Sequence, residues 1–221
     1  MKHPTSPALL RGARLWRWWV AAMILGELVG LGGVGLIGLA ASMVAPEDPG
    51  FVLAAALFAA MITTGAGEGA IVGLAQSVVL RRSLPAVPRA RWVAATAAGA
   101  ALAWILGASV AMSLSDDADI GALISLWVGI GMAAGVLLGA AQWVVLRGVA
   151  ERAWVWLPAN AAGWGLGVTV AFAGASAVPG EGGVPAIALI VLTGAATGIA
   201  PAAVTGVALV RLTHLMDERR G

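Results

Sequence analysis

Six apolar runs, each longer than 18 residues, are separated by short polar gaps, and this layout constrains the chain more than any other feature. They are 18–44, 51–80, 92–114, 120–146, 154–175 and 185–210. About 20 predominantly apolar residues are needed for a helix to cross the hydrocarbon core of a bilayer. With 60% hydrophobic and only 11% charged residues, and a mean hydropathy of +0.93, the chain lacks the polar surface of a water-soluble domain. The first run is too long for the ~7–15-residue apolar region of a cleaved signal peptide, so it reads as a spanning helix. The layout implies an integral membrane protein.

Charge sorts the gaps into two kinds. All 13 Lys and Arg residues fall in the N-terminus, the 81–91 turn, the 147–152 turn and the C-terminal tail. The other three gaps carry Glu47, Asp48, Asp116, Asp117, Asp119 and Glu181. By the positive-inside rule this alternation predicts six spans in the inner (cytoplasmic) membrane, with both termini cytoplasmic. The expected organisation is a basic N-terminus (1–17), a membrane domain (18–210) and a polar tail (211–221). Trp16, Trp18, Trp19, Trp92, Trp143, Trp154 and Trp156 cluster toward the basic end and read as an aromatic belt. Trp19, Trp92 and Trp156, with Arg81, Arg147 and Arg211, are the expected interface anchors.

The spans also repeat. Outgoing runs open as WVAAMILG at Trp19, WVAATAAG at Trp92 and WLPANAAG at Trp156; returning runs end as LAQSVVLR, GAAQWVVLR and VTGVALVR. Gly69, Gly73, Gln76, Leu80 and Arg81 match Gly135, Gly139, Gln142, Leu146 and Arg147 at identical spacing. In the third copy Thr205 lies near the Gln position but needs a one-residue shift when counted from Arg211. The expected fold is therefore all-α: six transmembrane helices forming three parallel helical-hairpin repeats (about 18–82, 92–147 and 154–211) around a pseudo-threefold axis. Gly26, Gly30, Gly65, Gly69, Gly73, Gly135 and Gly139 form small-x-x-x-small series, which read as helix-packing seams. The repeated G-x-x-Q-W-x-x-L-R and W-x-x-A-x-x-x-G-W segments resemble a pattern in uncharacterised multi-spanning bacterial membrane proteins. Gly139, Gln142, Trp143, Leu146, Arg147, Trp156, Ala159, Gly163 and Trp164 carry the resemblance, and it implies no activity.

Several chemistries are excluded. Cysteine is absent, and His3 and His214 lie outside the apolar runs. Thiolate metal sites and histidine-ligated haem within the membrane are thereby ruled out, and no cofactor or metal is expected. No H-E-x-x-H or G-x-S-x-G motif is present, so no enzyme is expected. The basic residues read as topology signals, which removes the case for nucleic acid. Asp116, Asp117 and Asp119 read as solvated turn charge.

Two carboxylic acids remain, and both interrupt apolar runs. Glu27 lies about 14 Å past Trp18 and Glu68 about 20 Å before Arg81, at helical rise. The repeat has Ala100 and Trp164 at the position of Glu27 and Ala134 at that of Glu68. The hairpin template does not require acids there, and an ionisable group in hydrocarbon marks a functional site by default. Thr63, Thr64, Gln76, Thr96, Gln142 and Asn160 are the expected polar lining around them. Pro201 interrupts the last run and releases the carbonyl of Thr197, a helix break. The expectation is a transport or permeation protein that exchanges protons or another cation at Glu27 and Glu68. Its partners are then the lipid bilayer and a small cationic or proton-coupled solute. The alternative is a structural or assembly subunit of a membrane complex, packed against a membrane-protein partner or further copies of itself.

Overall fold

The computed structural model describes residues 9–44, 46, 50–113, 120–180 and 182–218. The acidic-gap residues named above and His3 lie outside them. Seven α-helices account for most of the described chain, with no strand among the described residues: α1 (Gly12–Ser42), α2 (Gly50–Leu80), α3 (Arg89–Ala111), α4 (Ile120–Leu146), α5 (Trp156–Ser176), α6 (Gly183–Thr197) and α7 (Ile199–Glu218). A 3-10 turn, Ala153–Val155, leads into α5. Five stretches are long and apolar enough to cross a membrane: α1, α2, α3, α4 from Gly121, and α6 with α7 taken together. This makes the chain a multi-pass membrane protein by length and composition. The fifth apolar run, α5, is not among the five. It has 21 residues, but Asn160, Trp156, Trp164 and its four glycines between 163 and 174 dilute its hydropathy.

The helices form a closed ring. Each packs against its chain neighbours, and both α6 and α7 return to pack against α1. Glycine sets how closely they approach. A methyl group placed on Gly26 would lie 3.1 Å from the Cα of Val72, one on Gly99 2.8 Å from that of Leu138, and one on Gly163 2.5 Å from that of Pro201. These three backbone contacts join α1 to α2, α3 to α4, and α5 to α7. The α2–α3 seam uses Gly69 and Gly73 against Thr96 and Gly65 against the ring of Trp104, the α4–α5 seam Gly135 and Gly139 against Asn160, and the α1–α6 seam Gly194 against the backbone of Gly32. Apolar helices gain little from hydrophobic burial inside lipid, so this close backbone approach and its dispersion contacts hold the ring together.

Packing begins ahead of the first apolar run. Leu10 and Leu15 are buried, and the Leu10 N–H donates to the carbonyl of Arg82 at 2.6 Å. The Arg11 guanidinium donates to the Asp217 carboxylate at 2.5 and 3.0 Å and to the Ser83 carbonyl at 2.9 Å. This strap ties the first helix to the α2–α3 turn and to the end of α7. It gathers the chain's basic end into one packed face.

The three tryptophans expected at the interface lie in the core instead. Trp19, Trp92 and Trp156 are fully buried and meet edge-to-face on the ring axis, with centroids 5.7 to 6.5 Å apart. Each such pair contributes about 0.5–1.5 kcal/mol beyond area burial. The exposed aromatics at this end are Trp18 and Trp154, while Trp143 lies under the Arg147 guanidinium, 5.1 Å from its ring centroid. Arg81, Arg147 and Arg211 are exposed.

Candidate functional site

Immediately inside the three tryptophans is a layer of buried amides and hydroxyls. Trp92 Nε1 donates to Gln76 Oε1 at 2.9 Å, Trp156 Nε1 to Gln142 Oε1 at 2.8 Å, and Trp19 Nε1 to Thr205 Oγ1 at 2.9 Å. The two amides also reach across the ring. Gln142 Nε2 donates to Thr96 Oγ1 at 3.0 Å and to Gln76 Oε1 at 3.3 Å, and Gln76 Nε2 to the Met23 sulfur at 2.8 Å. Gln76 and Gln142 are therefore not cavity lining, contrary to expectation; their polar atoms are used up within this layer. Asn160 belongs here too, donating to the Trp156 carbonyl at 2.9 Å. Together these side chains close the axis of the ring at its basic end.

Beyond the layer the axis is open. A cavity of about 660 Å³ runs from Val72, Thr96 and Leu138 to exposed Ser42, Ala111 and Gly180 at the opposite end. It exists because the inward positions there are small: Gly35 and Gly38 on α1, Ala103 and Gly107 on α3. The walls are mainly apolar, with four aromatic side chains: Trp104, Trp127, Trp164 and Phe172. Trp127 and Phe172 stack at 4.8 Å. Thr96, Thr193 and Thr197 also border it, the Thr96 and Thr197 hydroxyls donating to the Trp92 and Thr193 carbonyls of their own helices. Thr63 and Thr64 do not line it; their hydroxyls turn back onto the Ala59 and Ala60 carbonyls of their own helix.

Glu27 and Glu68 border this cavity together. Glu27, on α1, is fully buried, and its side chain fits where α6 passes into α7. A methyl on Gly198 would come within 2.8 Å of Glu27 Cγ. Glu68, on α2, is 7% exposed, and its Cγ packs over Gly30, one turn beyond Glu27. Glu68 Oε2 accepts from Trp104 Nε1 at 2.7 Å. Neither oxygen of Glu27 meets an N–H or hydroxyl donor, and the buried Trp127 Nε1 meets no acceptor. The two carboxyls lie within hydrogen-bond reach of each other, so one proton can be shared between them. Among the described residues no Lys, Arg or His lines the cavity. A buried acid pair with no basic partner is costly, and its persistence calls for a proton, a ligand or water.

The break in the last returning helix falls at Gly198, between α6 and α7, with Pro201 in the first turn of α7. Pro201 has no N–H to offer the Thr197 carbonyl, which sits over Gly167. The break leaves the room in which Glu27 is seated. Sequence reasoning missed Trp104 and Trp127. Their signal was depth: each lies well inside an apolar run, where an interfacial tryptophan does not belong.

No protein-family profile, no curated protein and no solved structure matches the chain. Function is argued from this geometry. Among the described residues no group of His, Cys, Asp and Glu could hold a metal ion.

Proposed function

We propose that the chain is a six-span transport or permeation protein of the cytoplasmic membrane that exchanges protons or another cation at Glu27 and Glu68. The carrying observation is that two acids from neighbouring helices border one cavity, within hydrogen-bond reach of each other and with no basic partner lining it among the described residues. Interruptions of a repeat by acids that serve only packing would seat each against a fixed donor. Glu68 has one in Trp104; Glu27 has only the Glu68 carboxyl, with which it can share a proton.

In this reading α5 is the sixth span. At about 1.5 Å per residue its 21 residues reach roughly 31 Å, the thickness of the hydrocarbon core. Three hairpins then surround a pseudo-threefold axis. Support comes from equivalent contacts in each copy: an indole N–H to Gln76, Gln142 or Thr205, and Gly26, Gly99 or Gly163 on a facing backbone. The basic, tryptophan-sealed end faces the cytoplasm by the positive-inside rule, and the cavity opens to the other side. Glu27 and Glu68 are the exchanging groups, the aromatic walls select the solute, and the amide layer is the barrier to be crossed.

Solid-supported-membrane electrometry on proteoliposomes tests this reading. A pH step is expected to drive a transient charge displacement as protons enter the cavity, and Glu27→Gln with Glu68→Gln is expected to abolish it. Traces from the wild type that match empty liposomes would sink the proposal and favour a structural subunit.

A further inference from the structure

The cavity joins three properties that together define a ligand class. Its closed end carries two carboxyl groups, and among the described residues no basic side chain lines it. Both oxygens of Glu27 are buried away from any N–H or hydroxyl donor, with the Glu68 carboxyl beside them. Its walls are apolar and aromatic, with Trp104, Trp127, Trp164 and Phe172 around the lumen. We infer that the cavity binds an organic monocation with an apolar body, its charge held between Glu27 and Glu68 and its body against the indoles.

Other ligand classes fit worse. A hard divalent cation requires six or more oxygen ligands or retained water, and here two carboxyls stand in a largely apolar wall. An anion would meet two acids and no counter-charge. A neutral apolar solute would gain nothing from the two acids at the closed end. A weakly hydrated organic cation loses little on leaving water and gains cation–π attraction at tryptophan faces. The volume, about 660 Å³, lies within the range of about 300–1,000 Å³ typical of small-molecule sites.

This inference rests on the exchange reading and adds to it the identity of the competitor for the proton. Among the described residues, the only titratable group facing Glu27 from the elements packed on it is Glu68; the α6–α7 junction presents Gly194, Thr197 and Gly198. Trp104 is the polar neighbour of Glu68. When one cation enters, one proton leaves a carboxyl, and the net charge of the site, pair plus cation, is unchanged. That balance avoids the cost of adding a charge to a low-dielectric site.

Binding of tetraphenylphosphonium to the full-length protein in nanodiscs, by calorimetry in two buffers of different ionisation enthalpy, tests the inference. Saturable binding is expected, with about one proton released per cation. Glu27→Gln and Glu68→Gln are each expected to weaken it at least tenfold, and Trp127→Leu severalfold. Triphenylphosphine oxide, a neutral analogue, is expected to bind at least tenfold more weakly. Equal binding of the two compounds, or of wild type and both Gln variants, would overturn the inference, since apolar partitioning would then explain the signal. If the wild type binds neither probe yet gives the pH-step charge displacement, the ligand class is wrong and proton exchange stands. If tetraphenylphosphonium binds without proton release and the pH step is silent, exchange is wrong while the cation site stands.

Discussion

The side chains that define the axis of this ring are three tryptophans and the residues that accept from them. Gln142 makes three hydrogen bonds in this layer, as does Gln76: it accepts from Trp156 and donates to Thr96 and Gln76. Gln142→Leu should lower stability by about 1–3 kcal/mol, because it strands a buried indole N–H that has no water to turn to. The double variant Gln142→Leu/Trp156→Phe should recover part of that loss, since both polar partners are then gone. Steric-trap unfolding in bicelles measures both, and a double variant worse than the sum of the singles would refute the assignment. Thr63→Ala, which removes only a hydroxyl bonded to its own helix, should stay within about 0.5 kcal/mol.

The same tryptophans show what was legible at this scale. Their place at the ends of apolar runs made them look like a membrane belt, and burial reversed that. Yet the repeat held the correct answer. Trp19, Trp92 and Trp156 recur in every hairpin, opposite Gln or Thr, whereas Trp18 and Trp154 do not recur and are exposed. A residue that the repeat keeps is doing something common to all three copies, which here is filling the shared axis.

Between elements, packing depends on which glycines face a backbone. Gly163 meets the Cα of Pro201, where a methyl would sit at 2.5 Å, so Gly163→Ala must push α5 from α7. The expected cost is about 1–3 kcal/mol. Gly67 has nothing within 4 Å of the corresponding point. Gly67→Ala should be neutral or stabilising by up to about 1 kcal/mol, through helix propensity alone. Thermal unfolding in detergent separates the pair, and equal shifts would deny that the seam is backbone-limited. Glycine spacing identified the seams in sequence, but spacing alone does not say which helix lies opposite. The third copy illustrates this. Counted from Arg211, Thr205 is out of register with Gln76 and Gln142, yet its hydroxyl accepts from Trp19 as they accept from Trp92 and Trp156. The extra residue lies after Thr205, on the far side of the contact that matters.

Across the whole molecule, the two ends of the ring differ in what fills the axis. Tryptophan and glutamine close the basic end, while glycine and alanine leave the other open around Glu27 and Glu68. Sequence placed these acids at similar depth but could not orient them, since orientation depends on the rotation of each helix against its neighbours. The cavity itself is an absence of side chains, and no motif encodes that. Its access is nonetheless directly measurable, because the chain has no cysteine. Ala103→Cys lies on the cavity wall, and Ala86→Cys on the exposed turn at the basic end. An impermeant thiosulfonate should label Ala103→Cys from outside the cell and Ala86→Cys only from the cytoplasmic side. With two acids and, among the described residues, no basic side chain lining it, the cavity should also favour a cationic reagent over an anionic one at Ala103→Cys by about tenfold or more. Adding Glu27→Gln and Glu68→Gln should erase that preference while labelling persists. Labelling of Ala103→Cys from the cytoplasm, or a preference unchanged by the Gln substitutions, would mean that the tryptophan layer is not the seal and the acids do not govern the cavity.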